Sequence, residues 1–103
     1  MEAIKKLIES GRKCIVRTEH AGVFFGRIVD FDGTTAEIRD CRRIWYWAGA
    51  ASLSQLANDG PSRPRDCKFP EAVESIVVFG VKEVIPCTDV AAKKIEEVWT
   101  WKA

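Results

Sequence analysis

Apolar residues recur at helical spacing from Glu2 to Ser10, where Ile4, Leu7 and Ile8 share one side and Gly11 follows as a helix-ending residue. From Lys13 the period changes to two: Cys14, Val16 and Thr18 fall on one face, Ile15 and Arg17 on the other, which predicts a first strand. Ala21-Gly22 makes a turn into a long second strand, Val23 to Phe31, and Asp32-Gly33 signals a tight hairpin into a third over Thr34 to Arg39. Gly26, in the middle of the second strand, predicts a bend or bulge, and Ala36 and Ile38 point inward against Thr35 and Glu37. Ile44 to Trp47 reads as a fourth, aromatic strand.

After Gly49 the alternation stops, and Ser52-Leu53-Ser54-Gln55 is a capping box that opens a short helix. The helix is stopped by Asp59-Gly60-Pro61, and the proline-rich stretch to Pro70 is a loop pinned by Cys67 and Phe69. Val73 to Ile85 alternates as one bent strand or two, broken at Gly80 and stopped at Pro86. Thr88 or Asp89 caps a terminal helix that packs Ile95 and Val98, and Trp99 and Trp101 follow on alternating positions. These elements predict one mainly-β domain over residues 1–103. Its architecture is a small SH3-like or Sm-like antiparallel barrel with short peripheral helices at the N-terminus, at 52–58 and at 89–98. The run from Gly22 through Phe24-Phe25-Gly26-Arg27 to Asp32-Gly33 resembles the first half of an Sm-type fold.

Composition narrows the chemistry. The 103 residues are 47% hydrophobic and 30% charged, which is globular, and the net charge of +1 argues against an extended grip on phosphates, so a nucleic-acid partner is not expected. No apolar stretch reaches the roughly 18 residues of a membrane span, and Met1 to Glu9 lacks a signal-peptide apolar region, which predicts a cytoplasmic protein without membrane contact. Cys14, Cys41, Cys67 and Cys87 are too widely spaced for a zinc motif and read as reduced, buried hydrophobes, with no metal or cofactor expected.

The candidate chemistry lies between Arg42 and Gln55. Trp45, Tyr46 and Trp47 offer faces on which bases stack, and Arg42 and Arg43 add planar cations. Ser52, Ser54 and Gln55, at a helix start, suit a phosphate or other anion, and Arg17 or Arg27 from an adjacent strand is needed to complete a pocket. Each has a structural alternative: one alternate pair of the aromatics belongs in the core, Ser52 with Gln55 is explained as a cap, and one arginine is a solvated edge charge. With one histidine, His20, placed in a turn, and no nucleophile elbow, metal motif or phosphate-binding glycine loop, the residues predict binding rather than catalysis.

Three segments taken together resemble a family of small proteins of tailed phages: Ile15-Val16-Arg17-Thr18 with Ala21-Gly22-Val23-Phe24; Arg42-Arg43-Ile44-Trp45-Tyr46-Trp47 running on through Ala50-Ala51-Ser52-Leu53-Ser54-Gln55-Leu56-Ala57; and Cys67-Lys68-Phe69. The chain is similar to phage anti-CBASS sponge proteins, which form oligomers and hold cyclic dinucleotide alarm signals without cleaving them. That resemblance implies a phage-encoded, homo-oligomeric protein in the infected bacterial cell, with a cyclic nucleotide ligand and the residues named above as its contacts. Two other classes use the same residues: an Sm-like binder of single-stranded nucleic acid, and an inhibitor that docks on a host protein through its tryptophans.

Overall fold

The computed structural model describes residues 2–102; Met1 and Ala103, the ends of the expected domain, lie outside the described residues. The alternating segments form β1 (Lys13–Thr18), β2 (Val23–Phe31), β3 (Thr35–Arg43), β4 (Val73–Phe79) and β5 (Val81–Pro86), with helices α1 (Glu2–Ser10), α2 (Leu53–Asp59) and α3 (Asp89–Glu96) around them. The strands make one antiparallel sheet in the order β4-β3-β2-β1-β5. β4 and β5 are therefore neighbours in the chain and opposite edges of the sheet, separated by Gly80 alone. A single residue cannot span a flat five-stranded sheet, whose strands lie about 4.8 Å apart, so the sheet curls into the small barrel that the sequence predicts. Gly80 turns this corner with φ of +72°. Its carbonyl accepts from Glu19 N at 2.9 Å, and the next amide, of Val81, donates to Thr34 O at 2.9 Å.

Curling also requires a bend in β2, and Gly26 supplies it. The β2–β3 register shifts between Phe25 and Arg27, and a Cβ on Gly26 would stand 2.6 Å from Ile38 Cγ2 and 2.8 Å from the Arg39 carbonyl oxygen. The β2–β3 hairpin is closed by Asp32 N donating to Thr35 O at 3.1 Å, so Gly33 and Thr34 form its tip, one position beyond the expected Asp32-Gly33. The Asp32 carboxylate accepts from Thr34 N at 2.9 Å and Thr35 N at 2.8 Å. Those bonds hold its pKa below the ordinary carboxylate value.

Both faces of the sheet are covered. The inside of the barrel is packed with Val16, Phe24, Ile28, Ala36, Ile38, Cys41 and Val78, closed by Ile4 and Ile8 of α1. On the outer face Ile15 and Phe25 meet Leu56 and Ala57 of α2, Ala91 and Ile95 of α3, and Ile44, Ala48 and Phe69 from the intervening segments. This second layer is why Cys14, Ile15 and Val16 are buried in succession, where one-sided burial would have left Ile15 exposed.

The two later helices start as expected. Ser52 Oγ accepts from Gln55 N at 3.2 Å, while the Gln55 side chain reaches back to Ala51 N at 2.8 Å rather than to the cap residue itself. Thr88 Oγ1 accepts from Ala91 N at 3.1 Å and also donates to Asn58 O at 2.7 Å, which ties α3 to the end of α2. α3 ends at Glu96, short of the expected 98, yet Ile95 and Val98 are both buried as anticipated.

The expected fourth strand over Ile44 to Trp47 is the main correction. Ile44 N still donates to Val23 O at 2.8 Å, but beyond it the segment leaves β2, and its one bridge is the isolated pair of Tyr46 with Lys68. Without a ladder the two-residue alternation lapses: Ile44 is buried, Trp45 and Tyr46 are both exposed, and Trp47 packs on the outer core. All four cysteines are free and buried. Burial pushes the thiol pKa of Cys14 up to about 11 and those of Cys41 and Cys87 to about 12, so they remain neutral at physiological pH.

A candidate aromatic and cationic binding site

Adjacent arginines go opposite ways. Arg42 turns inward and bridges three segments: Nε donates to Pro70 O at 3.2 Å, Nη1 to Ile95 O at 3.0 Å and Glu96 O at 3.4 Å, and Nη2 to Phe69 O at 3.3 Å. It thus satisfies carbonyls at the C-terminal end of α3, where a cation is favoured by the helix dipole. Its burial lowers its pKa from the ordinary value. Arg43, on the other face, lies over the Phe24 ring at 4.5 Å and donates from Nη1 to Ala21 O at 2.6 Å.

The remaining expected contacts are dispersed. Arg17 pairs with Glu83 at 2.8 Å on the β1–β5 surface. Ser52 Oγ and the Gln55 side chain are engaged in the α2 cap, and Ser54 is exposed on the helix. Trp47 is partly buried against the core. Of the segment Arg42 to Gln55, Trp45 and Tyr46 are the aromatics left to solvent, 64% and 51% exposed.

What the fold brings beside Tyr46 comes from elsewhere in the chain. Tyr46 and Lys68 exchange both backbone bonds, Tyr46 N to Lys68 O at 3.2 Å and Lys68 N to Tyr46 O at 2.7 Å. Side chains of such a pair project to the same side. One residue on, Phe69 bridges Thr100 in parallel, with Trp101 N donating to Phe69 O at 2.9 Å. Lys68 Nζ then lies 5.5 Å from the centre of the Trp101 ring, within cation–π range. Trp99 and Trp101, 80% and 45% exposed, line a groove of about 530 Å³ with Arg65, Cys67, Thr100 and Lys102.

This groove has the size of a small-molecule site. Trp99 and Trp101 both open on this groove. Among the described residues, the cations Arg63, Arg65, Lys68 and Lys102 enter no salt bridge, while Lys13, Arg17, Arg27, Arg39 and Lys82 around the barrel are each paired with a carboxylate. Cys67, at the groove floor, accepts from Ala48 N at 3.3 Å, and burial raises its pKa, so it is not an activated nucleophile.

In the sequence Trp99 and Trp101 show only their alternate spacing after the terminal helix, and Arg65 and Lys68 fall in the loop before Pro70. The usable signal was the Trp-x-Trp spacing itself. The segment 99–101 is docked on Phe69 along one side.

The chain is a small antiparallel barrel carrying an outer layer of helices and an open aromatic groove. The chain belongs to the family described as Domain of unknown function (DUF6948), whose model matches residues 11–95. The match takes in the barrel, Tyr46, Lys68 and most of α3, and stops short of Trp99 and Trp101. No curated protein and no solved structure matches the chain. Among the described residues, no helix is long and apolar enough to cross a membrane.

Proposed function

We propose that this protein is a non-catalytic binding protein that captures a cyclic oligonucleotide in the groove lined by Arg65, Trp99, Trp101 and Lys102, with Lys68 beside it over the Trp101 ring. In this reading it is phage-encoded, acts in the cytoplasm of the infected bacterium as a homo-oligomer, and withholds an immune signal from the host defence. The observation that carries the reading is Lys68 Nζ standing 5.5 Å over Trp101 beside the exposed Trp99, a cation among stacking faces. Bases stack on the indoles, at about 1 to 3 kcal/mol each. The phosphates meet Arg65, Lys68 and Lys102, which have no carboxylate partner among the described residues. The groove lining contains neither a carboxylate nor an imidazole, the side chains that most often act as general acid or base.

Calorimetric titration with a panel of cyclic di- and trinucleotides tests this, followed by heat denaturation and mass measurement of the released ligand. Binding with intact ligand recovered, weakened at least about tenfold by Trp99→Ala, is the expected result. Recovery of a linear product would mean catalysis instead. If the panel gives no heat while single-stranded RNA binds with steep salt dependence, the protein is a nucleic-acid binder; silence from both moves the site to a host protein.

A further inference from the structure

We propose that two copies of this chain pair through the free edge of β4, antiparallel and about a two-fold axis at Ile76. This deepens the self-association in the reading above; ligand capture stands or falls separately. The two edge strands are treated differently. β5 is guarded by charge, with Lys82 paired to Glu19 at 3.4 Å and Glu83 to Arg17 at 2.8 Å, and it ends in Pro86. Such features keep an edge from pairing. β4 pairs only with β3, and over Val73–Phe79 it holds one charged residue, Glu74, and no proline. Its Val77 and Phe79 are 53% and 69% exposed.

Self-pairing about Ile76 sets Val73 against Phe79, Glu74 against Val78, and Ser75 against Val77, each twice. On the outward face this gives two pairs of a β-branched residue with an aromatic one, a favourable cross-strand combination, and no like charges face each other. Glu74 shares the other face with Ile76 and Val78. Next to that face lies a groove of about 460 Å³ into which Arg43 and His20 project beside Val78 and Phe79. Arg43 has no carboxylate partner among the described residues; its Nη1 bonds only the Ala21 carbonyl. Alignment with Val78 brings the partner subunit's Glu74 to this groove, so the register that matches the apolar stripe also matches the charges. Pairing of β4 with β5 would instead set an apolar edge against a charged, proline-ended one.

Sedimentation equilibrium on the full chain is the test, with a mass of twice 11.6 kDa expected. Val77→Lys, at an exposed position, should raise the dissociation constant by about 100-fold or more while leaving ligand heat per chain unchanged. Glu74→Arg should weaken the dimer, and combining it with Arg43→Glu in one chain should restore it, a rescue that does not depend on how Val77→Lys folds. Mixing Ser75→Cys with Val77→Cys chains should give a disulfide between unlike copies. A monomeric wild type, a ring of larger mass, or failure of the charge swap to rescue would overturn the pairing, whatever the ligand titration shows.

Discussion

The two faces of the sheet spend their polar groups differently. Around the barrel, Lys13, Arg17, Arg27, Arg39 and Lys82 are each matched with a carboxylate, while among the described residues Arg12 and Arg43 are not. In the outer layer Arg42 is consumed inside, while Arg63, Arg65, Lys68 and Lys102 stand unmatched near two open tryptophans. A surface whose charges are neutralised locally has little left for a partner, whereas unpaired cations beside exposed indoles keep their interaction energy for one. Under the proposed function the barrel is the scaffold and the outer layer the working surface.

That division can be broken at its junction. Arg42→Ala should cause the largest loss, about 3 kcal/mol, because it removes the charged hydrogen bonds that tie β3 to Phe69 and Pro70 and to the end of α3. Arg42→Lys should not restore it, since one ammonium cannot reproduce the guanidinium fork; thermal unfolding measures both. Gly26→Ala comes next, at about 2 kcal/mol, from the 2.6 Å approach to Ile38 and the 2.8 Å approach to the Arg39 carbonyl oxygen. It should weaken the scaffold and leave ligand affinity per folded molecule intact. Ser52→Ala should cost about 1 kcal/mol by removing the α2 cap, without any change in ligand heat. Smallest in stability is Trp99→Ala, expected within about 0.5 kcal/mol of wild type, with the ligand lost. A Trp99→Ala variant that unfolds early would erase the distinction between scaffold and surface.

The barrel was legible because its signals are local: the alternation of β1 and β2, the bend at Gly26, the break at Gly80 and the caps at Ser52 and Thr88 each act within a few residues. The site was not, because its residues meet only through tertiary contacts. Trp45, Tyr46 and Trp47 stood together in the sequence and invited a shared role, yet without a ladder they took three separate environments. Arg42 and Arg43 looked equivalent until the outer layer claimed one of them. Lys68 and Trp101 are joined through Phe69, a residue that by itself signals only a core position.

The Phe69–Thr100 bridge has a further consequence, for folding kinetics. In the folded chain Lys68 and Trp101 are neighbours through the Phe69–Thr100 bridge, beside the Arg42 bonds to Phe69 and to the end of α3. The groove is therefore built from contacts distant in the chain, the kind whose loop-closure cost makes them slow to form. Any partly folded molecule with α3 detached would lack the binding surface altogether, and its apparent affinity would fall in proportion to the fraction that is competent. Ligand added during refolding should bind only in the last kinetic phase, making Trp99 and Trp101 a reporter of completed assembly rather than of barrel formation.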